Sequence, residues 1–315
     1  MDPVTVLVVT FVVFLLIGVP VAVSIGLAAV LSMLVANFPA SYLVQTAYSA
    51  VDEFTIIAVP MFILAGVLME KGGLTERLIN FARGIVGSAP GGLATVTIVA
   101  CTFFAAISGS GPATTAAIGS IMIPAMLRDG YGRDFSAAIS SSAGGIGVVI
   151  PPSIPMIIYG ITAETSISGL FLAGVIPGLM LGIALWMVSV VISKRNGWVS
   201  HSNMSRSARG IGAAAWDAKW ALFAPVIILG GIYGGVFTVT EASVVAVLYA
   251  LLTGVMIFRK ITFNVLFDAL IYTVRITGTV LLVLVTGRIV GRLLTIYQIP
   301  QMVSDFLLTS VSSPT

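Results

Sequence analysis

The residues best suited to chemistry lie in two interruptions of otherwise apolar segments. Residues 108–112 read Ser-Gly-Ser-Gly-Pro, and residues 144–153 hold three glycines, two adjacent prolines and a serine. Carbonyl groups freed from helical hydrogen bonds at such places, together with hydroxyls, are suitable ligands for a hard cation such as Na⁺. No acidic residue lies near either interruption, so the sequence predicts coordination by neutral oxygens. The available hydroxyls are those of Ser108, Ser110, Thr114 and Ser153.

The same interruptions allow two other interpretations. Helix N-termini at these places would present N–H groups to an anion, so a carboxylate substrate could bind beside the ion. Alternatively, the glycines and prolines only kink the segments and let helices pack closely.

One basic residue in an apolar run, Arg288, either pairs with an anionic substrate or extends its guanidinium to the membrane surface.

The inventory of reactive side chains excludes the common enzyme classes. A serine nucleophile needs a general base, and the single histidine, His201, lies in a polar linker. One cysteine, Cys101, and one histidine cannot form a transition-metal site, and the sequence contains neither a P-loop nor a GxGxxG motif. The scattered basic residues do not form the patch that a nucleic-acid binder needs. We therefore expect no enzyme, no nucleic-acid partner and no cofactor apart from a coupling ion.

Composition places most of the protein surface in a lipid bilayer. The 315 residues are 58% hydrophobic and 9% charged, whereas soluble domains carry about 25% charged residues. A membrane-spanning helix needs about 20 apolar residues. Candidate spans are 4–22 running on to 36 with a kink at Pro20, 52–70, 91–107, 113–127, 135–162, 166–193, 221–237, 241–258 and 273–295. The sequence thus predicts an all-α, polytopic integral membrane protein.

Two regions differ from ordinary spans. Segments 91–107 and 113–127 are both short, and they flank the stretch at 108–112, which cannot continue a helix. This pattern is typical of a re-entrant hairpin whose tip stops within the membrane. Segment 135–162 is long enough to cross once, but prolines at 151, 152 and 155 interrupt it, which predicts a broken helix.

The distribution of basic residues predicts the orientation. With a cytoplasmic N-terminus and a re-entrant hairpin, the linkers 71–90, 128–134, 194–219 and 259–260 all lie in the cytoplasm. They hold twelve of the fifteen lysines and arginines, and the opposite linkers hold none, in agreement with the positive-inside rule. Two full spans in place of the hairpin would give the same sidedness, so the hairpin is predicted from its length and its tip alone.

An internal repeat organises the chain. Residues 59–81 and 280–306 each combine an apolar helix, a glycine-bearing break and an amphipathic arm, in opposite directions across the membrane, as in inverted-repeat transporters. The second repeat is incomplete, because no second hairpin or broken helix follows before Thr315. The predicted domains are scaffold helices over 1–58, a first transport repeat over 59–165, scaffold helices over 166–272 with a linker at 194–219, and the start of the second repeat over 273–315.

Four stretches of the sequence resemble one transporter family. They read VPMFILAGVLMEKGGLTERL at 59–78, ISGSGPATTAAIGSIMIPAM at 107–126, SSAGGIGVVIPPSIPMIIYG at 141–160 and IYGGVFTVTEAS at 232–243. In this order they resemble the large membrane (M) subunit of tripartite ATP-independent periplasmic (TRAP) transporters. The resemblance implies a sodium-driven, elevator-type transporter of the ion-transporter superfamily.

The resemblance also implies partners and site residues. Such subunits work with a small membrane subunit and a periplasmic substrate-binding protein in a bacterial or archaeal cytoplasmic (inner) membrane. They carry organic anions such as C4-dicarboxylates, sialic acids and other sugar or keto acids. The implied sodium site comprises Ser108, Gly109, Ser110, Gly145, Gly147, Val149 and Pro151. The substrate contacts predicted from the residues themselves are Thr114, Pro152, Ser153 and Arg288.

The sequence departs from the family pattern in two ways. Many members carry a hydroxyl where Gly111 or Pro112 stands, so we expect one sodium ligand to be missing or supplied by backbone. The second hairpin and second sodium site would lie beyond Thr315, so we expect a fragment or truncated gene that cannot transport alone. Two alternatives stay open: an anion symporter of similar fold that needs no binding protein, and a non-transporting assembly subunit.

Overall fold

The computed structural model describes residues 2–86, 91–198 and 208–311, and every regular element within these ranges is helical. The helices are α1 (Pro3–Leu16), α2 (Val21–Val35), α3 (Ala40–Val51), α4 (Ala58–Lys71), α5 (Leu74–Val86), α6 (Gly92–Ser108), α7 (Gly111–Arg128), α8 (Arg133–Gly144), α9 (Ile154–Thr162), α10 (Ile167–Arg195), α11 (Ala208–Tyr233), α12 (Val239–Leu251), α13 (Phe263–Ile296) and α14 (Ile299–Val311). Short 3₁₀ helices cover Phe54–Ile57 and Gly145–Val148, and a π-helix covers Leu252–Ile257. The prediction of an all-α fold is confirmed.

Several helices have the length and surface of membrane spans. Five segments are long and apolar enough to cross a bilayer: Phe54–Lys71, Ile167–Arg195, Ile211–Tyr233, Val239–Ile257 and Phe263–Ile296. Large apolar side chains cover the outside of α10, among them Leu172, Ile176 and Met180. A continuous surface of this kind is stable against lipid and would drive association in water. The fold therefore has the character of a polytopic membrane protein.

The helices pack in two compact units. The first comprises residues 1–53 and 275–315, the second comprises residues 54–274, and α13 contributes to both. The core of the first unit consists of Leu7, Ala28, Ala29, Met33, Ile289 and Leu293. The second unit contains the hairpin formed by α6 and α7 and the broken helix formed by α8 and α9.

The N-terminal segment forms two helices instead of the predicted single span over 4–36 with a kink at Pro20. The chain turns between α1 and α2, where Gly18 adopts a positive φ of 87°. The hydroxyl of Ser32 near the end of α2 donates to the carbonyl of Pro3 at the start of α1 (2.7 Å), so the two helices run antiparallel. The cytoplasmic location of the N-terminus stays a prediction.

Two predicted linkers contain helices. Residues 37–51 include α3, and residues 208–219 of the predicted linker form the first half of α11. A Cβ placed on Gly84 of α5 would lie 3.3 Å from the Cβ of Ala214, so α11 packs closely on α5. This packing partner is distant in sequence, and composition alone does not reveal it. Residues 199–207, which include His201, lie outside the described residues.

The amphipathic arm predicted after residue 72 is α5. Its Glu76 forms an ion pair with Lys260 (2.8 Å), and its Arg77 forms one with Asp217 of α11 (3.4 Å). The hydrogen bond from Lys260 lowers the pKa of the Glu76 carboxyl. Exposed pairs of this kind contribute about 1 kcal/mol at most, so the apolar side of α5, with Leu74, carries most of the attachment.

Glycines of α10 let this helix approach the broken helix. Gly174 and Gly178 are four residues apart and therefore lie on one face. A Cβ placed on Gly174 would lie 2.6 Å from the carbonyl oxygen of Val149, and one on Gly178 would lie 2.5 Å from Cγ1 of Ile150. Both distances are shorter than van der Waals contact, so α10 packs directly on one side of the break.

Gly174→Ala is expected to separate α10 from the broken helix and to lower the midpoint of thermal unfolding in detergent. Overpacking costs about 1–3 kcal/mol, and the obstructing atom is a backbone oxygen that cannot rotate away. Gly230→Ala in α11 is the control, because a Cβ there would meet no atom within 4 Å. Equal midpoints for the two variants would contradict the close packing of α10 on the break.

Candidate functional site

The tip of the helical hairpin is a tight turn between α6 and α7. Gly109 ends α6 with a φ of 60°, which glycine adopts without strain. The Ser110 hydroxyl then caps α7 by accepting the N–H of Ala113 (3.4 Å). Pro112 lies in the first turn of α7, where a backbone N–H is not needed. The residues at 108–112 thus end one helix and start the next through local interactions.

The broken helix is held around its interruption by a serine. The break begins after α8, and α9 starts with Ser153 as its N-cap. The Ser153 hydroxyl donates to the carbonyl of Val148 (2.6 Å) and accepts the N–H of Met156 (3.4 Å). One side chain therefore joins the 3₁₀ turn before the break to the helix after it.

The hairpin tip packs directly on the break. The N–H of Ile154 donates to the carbonyl of Gly109 (3.1 Å). A Cβ placed on Gly147 would lie 2.7 Å from Oγ1 of Thr114 and 2.9 Å from the carbonyl oxygen of Ser110. Only glycine allows the two backbones to approach this closely. The structure therefore brings the two interruptions into contact.

Hydroxyls and carbonyls are concentrated at this contact. Oγ1 of Thr114 donates to the carbonyl of Ser110 (2.8 Å) and lies 2.9 Å from Oγ of Ser108. Ser108 is 2% exposed and Thr114 is fully buried. Each hydroxyl has one proton and two lone pairs, so both side chains keep acceptor capacity after these bonds. The oxygens are neutral, and no group of three or more His, Cys, Asp or Glu side chains suited to a metal occurs in the described ranges.

The N–H groups at the start of α9 are already used or missing. The N–H of Ile154 bonds to the hairpin tip, Pro155 has none, and the N–H of Met156 bonds to Ser153. An anion at this N-terminus would have to break one of these bonds. The start of α9 is therefore poorly suited to an anion, whereas the oxygens gathered at the contact are of the kind that a hard cation takes as ligands.

The predicted sodium ligands divide into three groups. Those in the contact itself are Ser108, Gly109, Ser110 and Gly147. Gly145 borders open space, since a Cβ there would meet no atom within 4 Å, and Pro151 is buried. The carbonyl oxygen of Val149 lies against Gly174 of α10.

Three of the four predicted substrate contacts are buried. Thr114 and Ser153 are fully buried and form the hydrogen bonds described above. Pro152 is buried, with its carbonyl oxygen 2.5 Å from the position of a Cβ on Gly109. Arg288 lies on the part of α13 that belongs to the first unit, whereas the contact belongs to the second.

Two residues beside the contact were not identified from the sequence. Gly66 of α4 approaches the tip so closely that a Cβ there would lie 3.1 Å from Cα of Ser108. Thr115 lies against Gly144 at the end of α8. A glycine within an apolar helix is a packing signal that could have identified Gly66. Thr115 has no such signal, because only the tertiary structure distinguishes it from Thr114.

Comparison with known families agrees with this architecture. The family described as "Tripartite ATP-independent periplasmic transporter, DctM component" matches residues 8–315. The chain belongs to this family. The resemblance seen in the sequence is thereby confirmed, and so is the expectation that the protein is not an enzyme, because DctM proteins are transport components.

Curated DctM relatives are similar over nearly the whole chain. The isethionate TRAP transporter permease protein DctMQ of Oleidesulfovibrio alaskensis is 45% identical over 308 residues, which are 98% of this chain and 48% of that protein. The 2,3-diketo-L-gulonate TRAP transporter large permease protein YiaN of Escherichia coli is 37% identical, covering 95% of this chain and 70% of YiaN. The C4-dicarboxylate TRAP transporter large permease protein DctM of Pseudomonas aeruginosa is 40% identical, covering 84% and 61%. The chain thus spans about half to seven-tenths of the length of these relatives.

Proposed function

We propose that this DctM-family chain is the permease component of a sodium-coupled secondary transporter for an organic anion. Membership of the family supports a transport component. The contact between hairpin tip and broken helix supports sodium coupling, because it gathers neutral oxygens from two different elements in a buried place. Neutral oxygens suit a singly charged hard cation, whereas divalent cations usually recruit carboxylates.

The observation that carries this proposal is the distribution of donors and acceptors at the contact. The N–H groups of Ile154 and Met156 at the start of α9 are already used, while the hydroxyl oxygens of Ser108 and Thr114 keep lone pairs. The same glycines that allow the contact leave no side chain between the two backbones. A small cation can therefore bind to these oxygens in place of their present hydrogen bonds. The shape of the contact would change little.

The substrate and partners are proposed from the relatives. The printed names of those relatives include isethionate, 2,3-diketo-L-gulonate and C4-dicarboxylate, all of them organic acid anions. We infer the same class for this chain, with a small membrane subunit and a periplasmic substrate-binding protein as partners in the cytoplasmic (inner) membrane. In this proposal the hairpin and broken helix move together as the carrier part of an elevator.

Sodium is expected to raise the thermal unfolding midpoint of the purified chain relative to K⁺ and choline at equal ionic strength. A ligand that binds only the folded state stabilises it by about 1.4 kcal/mol at ten times its Kd. Ser108→Ala is expected to lose most of this sodium-specific rise, because its hydroxyl lies in the contact.

Ser120→Ala is the matched control, since Ser120 is an exposed residue of α7 whose hydroxyl bonds only within its own helix. It is expected to keep the full response to sodium. An equal midpoint in all three salts would contradict sodium coupling at this contact, and so would a response that Ser108→Ala leaves intact.

A further inference from the structure

A third element, α4, lies against the hairpin tip. A Cβ placed on Gly66 of α4 would lie 3.1 Å from Cα, 3.4 Å from Cβ and 3.5 Å from the carbonyl oxygen of Ser108. Its three nearest neighbours thus belong to one residue, and the hydroxyl of that residue is a candidate sodium ligand. Gly66 belongs neither to the hairpin nor to the broken helix, so α4 forms a separate wall beside the contact.

The helix α4 has little room to move back from the tip. Nine of its fourteen residues are buried, among them Phe62 and Met69, which precede and follow Gly66. The chain directly after α4 is confined as well, because a Cβ placed on Gly72 would lie 3.4 Å from Cα of Gly254 in the π-helix. Close-packed interiors compress little, so crowding at Gly66 displaces the tip rather than α4.

The tip is the partner that can yield. Ser110 is half-buried and Pro112 is exposed, so this turn can shift without disturbing a packed core. Ser108 itself is 2% exposed, and its Oγ lies 2.9 Å from Oγ1 of Thr114. The Ser108 side chain is therefore confined by two neighbours, the backbone of α4 and the hydroxyl of Thr114.

We propose that Gly66 fixes the position of Ser108 and thereby sets the ion selectivity of the contact. This inference rests on the proposed sodium site. A confined Ser108 cannot withdraw towards α4 for a larger ion, and its bond to Thr114 limits how far it can follow a smaller one. The size of the space between ligands is one means by which proteins discriminate between ions. Gly66 is thus a positioning residue that acts through Ser108.

Titrations of the thermal midpoint with NaCl and KCl test this role in Gly66→Ala, at ionic strength held constant with choline chloride. The added Cβ displaces Ser108 by a few tenths of an ångström. We expect an increase of about tenfold in the sodium concentration for half-maximal effect, which corresponds to the loss of one bond to a charged partner. The preference for Na⁺ over K⁺ is expected to narrow by the same factor.

Gly84→Ala is the matched control for this substitution. Its Cβ would be similarly crowded, 3.3 Å from Cβ of Ala214, but its neighbours belong to α11 and not to the tip. We expect a lower midpoint in choline and the wild-type sodium concentration for half-maximal effect. A loss of stability alone lowers the midpoint in every salt and leaves this concentration unchanged.

A lithium titration of the wild type is a second measurement, which needs no substitution at Gly66. If Ser108 is confined on both sides, the contact favours one ion size. Li⁺ and K⁺ are then each expected to need concentrations at least about tenfold higher than Na⁺ for half-maximal effect. This measurement tests the confined ligand even if Gly66→Ala fails to fold.

The outcomes separate this inference from the proposed function. A wild type that responds to sodium, with Gly66→Ala responding at the same concentration, overturns the role of Gly66 and leaves sodium coupling intact. An equal response of the wild type to Li⁺ and Na⁺ does the same, and so does an equal shift for Gly84→Ala and Gly66→Ala. A wild type with no sodium-specific response overturns the sodium site and the role of Gly66 together.

Discussion

Gly147→Ala is expected to force the hairpin tip away from the broken helix and to abolish the sodium-specific rise in the thermal midpoint. The added Cβ would lie 2.7 Å from Oγ1 of Thr114 and 2.9 Å from the carbonyl oxygen of Ser110. The second of these atoms belongs to the backbone, so a rotamer change cannot relieve the overlap. Overpacking of this kind destabilises by about 1–3 kcal/mol, which a thermal scan in choline chloride measures directly.

Gly145→Ala is the matched control for this substitution. It lies two residues away in the same 3₁₀ turn, and its Cβ would meet no atom within 4 Å. We expect a midpoint in choline within about 0.5 kcal/mol of the wild type, as for substitutions away from packed features. If Gly147→Ala unfolds at the same temperature as Gly145→Ala and keeps its sodium response, the tip does not pack on the break as described.

Gly109→Ala is expected to be similarly destabilising, for two independent reasons. A left-handed conformation costs a residue with a Cβ about 1–2 kcal/mol, and Gly109 has a φ of 60°. In addition, the Cβ would lie 2.5 Å from the carbonyl oxygen of Pro152, which would disturb the hydrogen bond from Ile154 to the tip. The expected result is a lower midpoint and a weaker response to sodium.

Gly235→Ala separates the two contributions. Gly235 has a comparable φ of 69°, but a Cβ there would meet no atom within 4 Å. This variant should lose only the conformational part of the stability, and its sodium response should be unchanged. Equal losses for Gly109→Ala and Gly235→Ala would show that backbone strain alone acts at the tip and that Pro152 is not in contact with it.

The local features of the second unit could be predicted from the sequence because they depend on short-range signals. Glycine and proline end helices, and serine starts them, so the interruption at 108–112 predicts the turn between α6 and α7 closely. The broken helix follows from its prolines in the same way. Thr238 and Glu241 form the capping box that begins α12, a short-range pattern of a hydroxyl followed three residues later by a carboxylate.

Features that depend on distant contacts could not be predicted. Pro20 indicates a kink, but the reversal between α1 and α2 is visible only through the bond from Ser32 to Pro3. Residues 208–219 contain five alanines, which favour a helix, but their packing on α5 is visible only in the structure. In both cases the tertiary contact is the part that local sequence does not show.

The kinds of ligand atoms at the site could be predicted from the sequence, but the position of each hydroxyl could not. The sequence indicates neutral oxygens near 108–114 and 144–153, and the structure brings these stretches together. It does not indicate which hydroxyl is buried and which is only half-buried, since Thr114 and Thr115 are adjacent and chemically identical. Helical geometry places their side chains about 100° apart, so one is buried against Ser108 and the other lies beside Gly144.

Equilibrium binding of radioactive Na⁺ to the purified chain tests the account most directly. We predict saturable binding that excess K⁺ does not displace, that Gly147→Ala loses, and that Gly145→Ala retains. Gly147→Ala removes the contact between tip and break, whereas Gly145→Ala preserves it, and neither variant changes a candidate ligand atom. Absence of saturable binding, or equal binding by Gly147→Ala and the wild type, would contradict a sodium site at this contact.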